Sequence, residues 1–273
     1  MNKEPEISVI TACYNHGKYI NEMLDSVLSQ SFQNFEIIIV NDGSTDDTPG
    51  ILNLINHNKV KIFHTENNGP AAARNFAIQH SKSPLILNLD ADDRISTGLL
   101  GKAYDIFASN PDAGIVYCDA ECFGAKTGKF EIGEYTPESM LFDNRIIADA
   151  FFRKKDWELA GGYSLELIYG LEDWDFWLRL IEAGREAVKI HGEIVYYRTY
   201  KNSGYSRSGK MKKDRMMIIR SLNTIFQRHK EYYTLYPDAL KHFSAIEKKL
   251  ETENLIVRHI KNYYYFFKKS ITA

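Results

Sequence analysis

Three carboxylates fall within four positions of LILNLDADDRIS (residues 85–96): Asp90, Asp92 and Asp93 follow directly on an apolar run. Carboxylates this close repel one another, and at the end of a strand they make a donor set for a hard divalent cation. Mg²⁺ or Mn²⁺ takes one or two carboxylates and completes its shell with water and phosphate oxygens. The spacing thus points to a metal carrying a diphosphate, with a plain turn in which Asp93 or Ser96 caps the next helix as the competing reading. Asp42 ends a second apolar run, FEIIIVND, where it can accept a hydrogen bond from a base or ribose, or cap the VNDGSTD turn. Arg74, about a turn into NNGPAAARNFAI, can pair with Asp42 or approach a phosphate.

The elements that must hold these residues alternate between two periods. EISVITACYN, FEIIIVND, VKIFHTE and PLILNLD are short runs rich in β-branched and apolar residues, as strands buried on both faces should be. Between them, KYINEMLDSVLSQ sets Ile20, Met23, Leu24, Val27 and Leu28 at helical spacing. STDDTPGILNLINH opens on a cap-like cluster, and NNGPAAARNFAIQH places Pro70 in a first helical turn. This alternation predicts βαβ units and a mainly parallel sheet flanked by helices.

In such a sheet ligands bind beyond the carboxyl ends of the strands. Those ends read Thr11 to Asn15, Asn41-Asp42-Gly43, Asn67-Asn68-Gly69 and Asp90 to Asp93, all polar. The first turn, ACYNHGKY, has one glycine, so neither G-x-G-x-x-G nor a P-loop is present and a nucleotide must be held another way.

Past residue 96 the rhythm changes. ISTGLLGKAYDIFASNP reads as a helix and AGIVYCDAECFGAKTGKFEIG as a hairpin turning at Ala125–Gly128. GLEDWDFWLRLIEAG reads as a helix with Trp174, Trp177, Leu178 and Ile181 on one face and Gly184 as its stop. EIVYYRTY is a late strand. Beyond Ser208 the chain reads as helical, broken near Pro237.

Of 273 residues 44% are hydrophobic, enough for one large core, and the net charge of −2 argues against a nucleic-acid binder. Residues 209–273 hold 14 Lys and Arg against 6 Asp and Glu, leaving 20 against 30 in the remainder. A basic tail on an acidic body calls for a partner. No apolar run approaches the about 18 residues that span a bilayer, and MNKEPEISVITACYN does not read as a signal peptide. Cys13, Cys118 and Cys122 have no disulfide spacing; the C-x3-C pair reads as two strand residues, and the chain as a reduced, cytoplasmic protein.

Four segments in this order resemble glycosyltransferase family 2, of the inverting GT-A type: ISVITACYNHGKYINEMLDSVLSQSFQNFEIIIVNDGSTDDT, NNGPAAARNFAI, LDADD and GGYSLELIYGLEDWDFWLRL. The resemblance runs from about Ile7 to Tyr200 and does not specify the sugar. It implies a GT-A catalytic domain over residues 1–205, with a nucleotide-sugar half (1–96) and an acceptor half (97–205), and a helical extension over 206–273. It implies that Thr11 and Asp42 contact the base with Arg74 beside them, that Asp90 lies near the ribose or the waters of the metal, and that Asp92 is the direct ligand of Mn²⁺ or Mg²⁺. Asp173 matches the catalytic base. Asn15, from the first strand end, and Glu172 and Trp174, flanking Asp173, complete the substrate-binding set.

The chemistry suits these positions. An inverting transfer needs one carboxylate to take the proton of the attacking hydroxyl, and positive charge on the leaving nucleoside diphosphate. The expected donor is a UDP-sugar and the expected acceptor a glycan or lipid-linked sugar in cell-surface polysaccharide or glycolipid synthesis. The sequence departs from the family at Tyr197-Arg198-Thr199-Tyr200, where many members end in His. Lys201 or Arg207 is a candidate to clamp the diphosphate instead, and His191 reads as structural, at the start of the late strand.

Two other readings stay open: a sugar nucleotidyltransferase, against which the missing Gly-rich basic loop speaks, and an inactive sugar-nucleotide-binding or scaffolding protein. The end, LIVRHIKNYYYFFKKSITA, reads as a helix packed on the domain or a second subunit, with peripheral contact at an anionic membrane face as the alternative.

Overall fold

The computed structural model describes residues 4–168, 170–201 and 215–248. Arg207 and the aromatic, basic end of the chain lie outside the described residues.

The first four runs form strands β1 (Ile7–Cys13), β2 (Phe35–Asp42), β3 (Val60–Thr65) and β4 (Leu85–Asn88), all parallel in the order β3-β2-β1-β4. Every residue of β2 is buried, the consequence of helices on both faces. Helices α1 (Gly17–Leu28), α2 (Thr48–Asn53) and α3 (Pro70–Gln79) make the crossovers. Helix α1 buries Ile20, Met23, Leu24 and Val27, the stripe its spacing predicts. Helix α2 is shorter than its sequence suggests, six residues from Thr48 to Asn53 with Pro49 in its first turn and Leu54 as its C-cap.

The sheet then changes direction. After β5 (Arg94–Ile95) and α4 (Leu99–Ser109) come β6 (Ala113–Gly124) and β7 (Gly128–Lys129), paired as the expected hairpin. Strand β8 (Phe151–Arg153) inserts antiparallel between β4 and β6, and α5 (Lys154–Ala160), α6 (Glu172–Glu182) and β9 (Glu186–Thr199) follow. The nine strands form one mixed sheet.

Strand β9 begins seven residues before the expected EIVYYRTY and runs parallel to β6. Its register jumps from Cys118↔Ile190 to Asp119↔Ile194, so residues 191–193 bulge out. His191 therefore lies mid-strand in the bulge, with Gly192 at φ 78°, and not at a strand start. The bulge delivers Glu193 to the Ser96 hydroxyl (2.6 Å), the Gly98 N–H (3.1 Å) and Lys102 (2.9 Å).

The described C-terminal residues form α7 (Arg215–Arg228), α8 (Lys230–Tyr233) and a helix over 237–248. Ile225, Phe226, Tyr233, Ala239 and Phe243 are buried in the same cluster as Trp174 and Trp177 of α6. His229 is wholly buried between Asp175 and Glu182 (3.3 and 2.6 Å), and Arg228 adds contacts to Asp175 at 2.9 Å. No helix among the described residues is long and apolar enough to cross a membrane.

Candidate active site

The carboxyl ends of β2, β1 and β4 lie side by side on the parallel half of the sheet, and glycine lets the loops after β2 and β3 close on one another. Gly43 sits at φ +66°, and a Cβ there would stand 2.6 Å from the Asn67 backbone nitrogen. Beside it, Asp42 accepts hydrogen bonds from the N–H groups of Asn68 and Gly69, both at 2.9 Å. Its carboxylate caps the loop after β3 and not its own VNDGSTD turn; each oxygen keeps a lone pair.

Asn15, left-handed at φ 57°, ties the β1 turn to the β2 turn. Its N–H donates to Ser44 Oγ (2.9 Å), and its Oδ1 accepts from the Thr45 N–H (2.8 Å). Thr11 lies inside β1, wholly buried, its hydroxyl without a partner among the described residues.

Arg74 pairs with neither Asp42 nor solvent. It is 4% exposed and donates to Asp90 Oδ1 (2.7 Å) and Glu172 Oε1 (2.6 Å), 98 positions away in sequence. Burial disfavours its charge, but Asp90 and Glu172 outweigh burial and hold the guanidinium more firmly protonated than usual. Glu172 is fully buried in this pair, so it reaches a substrate only through Arg74. Trp174, expected on the substrate side, is in the core instead: its ring is 2% exposed and its N–H donates to the Met140 carbonyl at 2.7 Å.

The acidic end of β4 gathers one carboxylate more than the sequence suggests. Ligand oxygens of Asp90, Asp93 and Asp149 lie within 4.8 Å of one another. Asp149, just before β8, accepts the Asp90 N–H at 2.7 Å. Asp93 accepts the Arg198 N–H at 2.6 Å, while its Oδ2 has no hydrogen-bond partner among the described residues. Burial, then the neighbouring carboxylates, pushes Asp93 well above the usual range, and burial with Asp90 pushes Asp149 up to about 8.

Asp92 stands beside this triad. Its Oδ2 accepts the Tyr200 hydroxyl and its Oδ1 lies 3.8 Å from His16. Burial raises Asp92 as well, with His16 opposing. Four crowded carboxylates with one buried arginine are short of positive charge, which fits a divalent cation. Asp90 and Asp92 are the members that reach solvent, with side chains 35% and 13% exposed. Arg198 braces this end: Nε donates to the Asp92 carbonyl (2.8 Å), and the guanidinium lies 4.2 Å from the rings of Tyr19 and Phe123.

Asp173, half-buried in the first turn of α6, accepts a hydrogen bond from Asn144 Nδ2 at 2.9 Å. Leu171, before it, holds φ 72°, a conformation that costs a non-glycine residue about 1–2 kcal/mol and turns the chain sharply into the helix. Asn144, Asp149 and His16 are the site residues sequence reasoning missed. Asn144 and Asp149 sit in DNRIIADAFF, whose only signals are a polar start and a lone Asp149 among apolar residues.

Comparison with known proteins agrees with this architecture. A hyaluronan synthase of Pasteurella multocida is 29% identical over 232 residues, 82% of this chain but 24% of the synthase. TuaG of Bacillus subtilis, named for teichuronic acid biosynthesis, is 28% identical over 230 residues, 82% of this chain and 91% of the relative. Several other relatives are matched over half their length or less, as is the glycosyltransferase GlyG of Streptococcus pneumoniae at 42%. Among solved structures, S. aureus TarS 1-349 in complex with UDP-GlcNAc superposes with a TM-score of 0.68 at 20% identity, covering 88% of this chain and 72% of that one. The mannosyltransferase PcManGT of Pyrobaculum calidifontis, in complex with GDP-Man and Mn²⁺, superposes at 0.63 and 20% identity, covering 92% and 76%. These are GT-A folds, as the mixed sheet here is. The sequence model of Glycosyl transferase family 2 matches residues 8–162, more than half of the chain, and the chain belongs to that family.

Proposed function

We propose that the chain transfers a sugar, with inversion, from a nucleotide-diphospho-sugar to an acceptor hydroxyl of a glycan or lipid-linked sugar. The observation that carries this reading is the buried chain Asp90–Arg74–Glu172, which fixes the acidic strand end relative to Asp173, the next residue of the same helix. Donor and acceptor functions are thereby held at a set separation, as in-line displacement at one carbon requires.

In this reading Asp173 takes the proton from the acceptor hydroxyl while its oxygen bonds to the anomeric carbon, and the bond to the nucleoside diphosphate breaks on the opposite face. Asp92, with Asp90 through water or by way of the ribose, holds Mn²⁺ or Mg²⁺. Once bound, the ion supplies charge that stabilises the departing diphosphate. Asn15 and Asp42 serve the nucleotide end, with Thr11 wholly buried in the strand that leads to it, and residues 1–96 are the donor half and 97–205 the acceptor half. A UDP-sugar is the donor of choice, by analogy with the UDP-GlcNAc of TarS; the GDP-Man of PcManGT is the alternative. Hyaluronan and chondroitin synthases among the relatives support polysaccharide synthesis as the setting, from the cytoplasmic side, with peripheral membrane contact or dimerisation assigned to the basic C-terminal end.

Calorimetric titration of UDP, GDP and dTDP, with and without Mn²⁺, tests the reading. One nucleotide should bind only with metal, lose that binding in Asp92→Ala, and keep it in Asp173→Asn while turnover stops. Absence of binding by all three nucleotides, or turnover surviving in Asp173→Asn, overturns it.

A further inference from the structure

Asp173 is held from outside its own helix. Asn144 Nδ2 donates to Asp173 Oδ2 at 2.9 Å, and Asn144 Oδ1 accepts the Ile146 N–H at 3.2 Å. The second bond sets the sense of the amide, because turning it over would place an NH₂ group against an N–H and an oxygen against the carboxylate.

The segment carrying Asn144 is itself anchored on both sides. Before it, the Leu141 carbonyl accepts the Tyr233 hydroxyl at 2.9 Å. After it, the Ala148 carbonyl accepts Asn88 Nδ2 at 3.0 Å and Asp149 accepts the Asp90 N–H at 2.7 Å. One short stretch therefore braces Asp173 at one end and the acidic strand end at the other. A neutral amide suits the first task. It donates to the carboxylate without adding a charge that would weaken it as a base, or a proton that would compete for it.

Resting on the assignment of Asp173 as base, we propose that Asn144 is a positioning residue for the transfer. Its amide fixes the rotation of the Asp173 carboxylate, so that the carboxylate meets the acceptor hydroxyl in one orientation. Asn144 acts through Asp173 and touches neither donor nor metal. Its loss therefore shows in kcat and leaves donor affinity alone.

The test uses the full chain, with nucleoside diphosphate release from UDP-glucose, UDP-N-acetylglucosamine and GDP-mannose as the probe and water as acceptor. Asn144→Asp is the decisive variant. It keeps the volume and the bond to the Ile146 N–H, but turns a carboxylate oxygen toward Asp173. Asn144→Asp and Asn144→Ala should each lower kcat by at least about tenfold with donor KM within about twofold of the parent. Asn144→Asp retaining kcat within about twofold, or a loss carried by KM, overturns the proposal. Full turnover in Asp173→Asn alone would instead remove the base assignment, and this inference with it.

Discussion

Replacing Arg74 with methionine should be the most destabilising single change in the site, and its cost should depend on pH. The guanidinium bridges Glu172, whose side chain is 1% exposed, and Asp90, whose side chain is 35% exposed. With the cation gone, Asp90 stays hydrated and contributes little, as for other exposed partners. Glu172 has no such recourse. It must remain an unpaired buried charge, for which breaking a pair costs about 3–5 kcal/mol, or take up a proton. From the ordinary glutamate pKa of about 4.3, protonation costs about 3.7 kcal/mol at pH 7 and about 1 kcal/mol at pH 5. The cheaper route sets the loss, so Arg74→Met should lose about 3.7 kcal/mol at pH 7, or about 7–15 °C in thermal midpoint for a chain of this size. Urea denaturation at pH 7 and pH 5, followed by tryptophan fluorescence, measures both values. Arg74→Met/Glu172→Met, with neither charge of that buried pair left, should return to within about 1 kcal/mol of the parent at both pH values. A loss under about 1 kcal/mol at pH 7, or an equal loss at both pH values, would refute the argument that an unpaired Glu172 is what Arg74 prevents.

Two further outcomes follow from other contacts. Tyr200 hydrogen-bonds Asp92, so a cation binding there must compete with that phenol. Tyr200→Phe should bind Mn²⁺ about tenfold tighter in the presence of UDP, the equivalent of one modest hydrogen bond, and weaker binding by calorimetry would show that the phenol belongs to the shell of the ion. At the C-terminal helices, burial pushes His229 down, but Asp175 and Glu182 outweigh it and hold the imidazole above its ordinary value of 6.5. The stability this contributes is complete below about pH 6.5 and is lost as pH rises through the folded value. The stability difference between parent and His229→Gln, from urea curves at pH 6 and pH 9, should therefore shrink at the higher pH; a constant difference would show that the imidazole is neutral in the fold. Comparing the two proteins cancels the contribution of Asp149, which titrates in the same range.

How far the sequence can be read is seen best by comparing Asp42 with Arg74. Asp42 was legible in position, since an apolar run of β-branched residues must be a buried strand and the polar pair Asn41-Asp42 must mark its end. What it bonds was not legible, because the N–H groups of Asn68 and Gly69 arrive from another loop. Arg74 was legible as a charge on an otherwise apolar helix. Its partners were misread, since Glu172 is brought to it from α6, 98 positions away, only by the tertiary fold. Trp174 shows the same division: its helix and buried face follow from spacing, while its proximity in sequence to Asp173 suggested a substrate contact that a rotation of about 100° along the helix removes.

The sequence by itself determined the four βαβ-linked strands of the parallel half, their polar carboxyl ends and the acidic run at the last of them. These follow from local period and turn chemistry, which act over a few residues. Tertiary structure alone decided that Asp149 joins the cluster, that Asn144 braces Asp173, that Tyr200 rests on Asp92, and that the C-terminal helices share the core of α6. Each of these joins segments between 29 and 108 positions apart, apart from the shared core. Such pairings are set by how helices and strands stack to bury their apolar faces, and nothing in the neighbouring residues encodes which distant side chain will stand opposite.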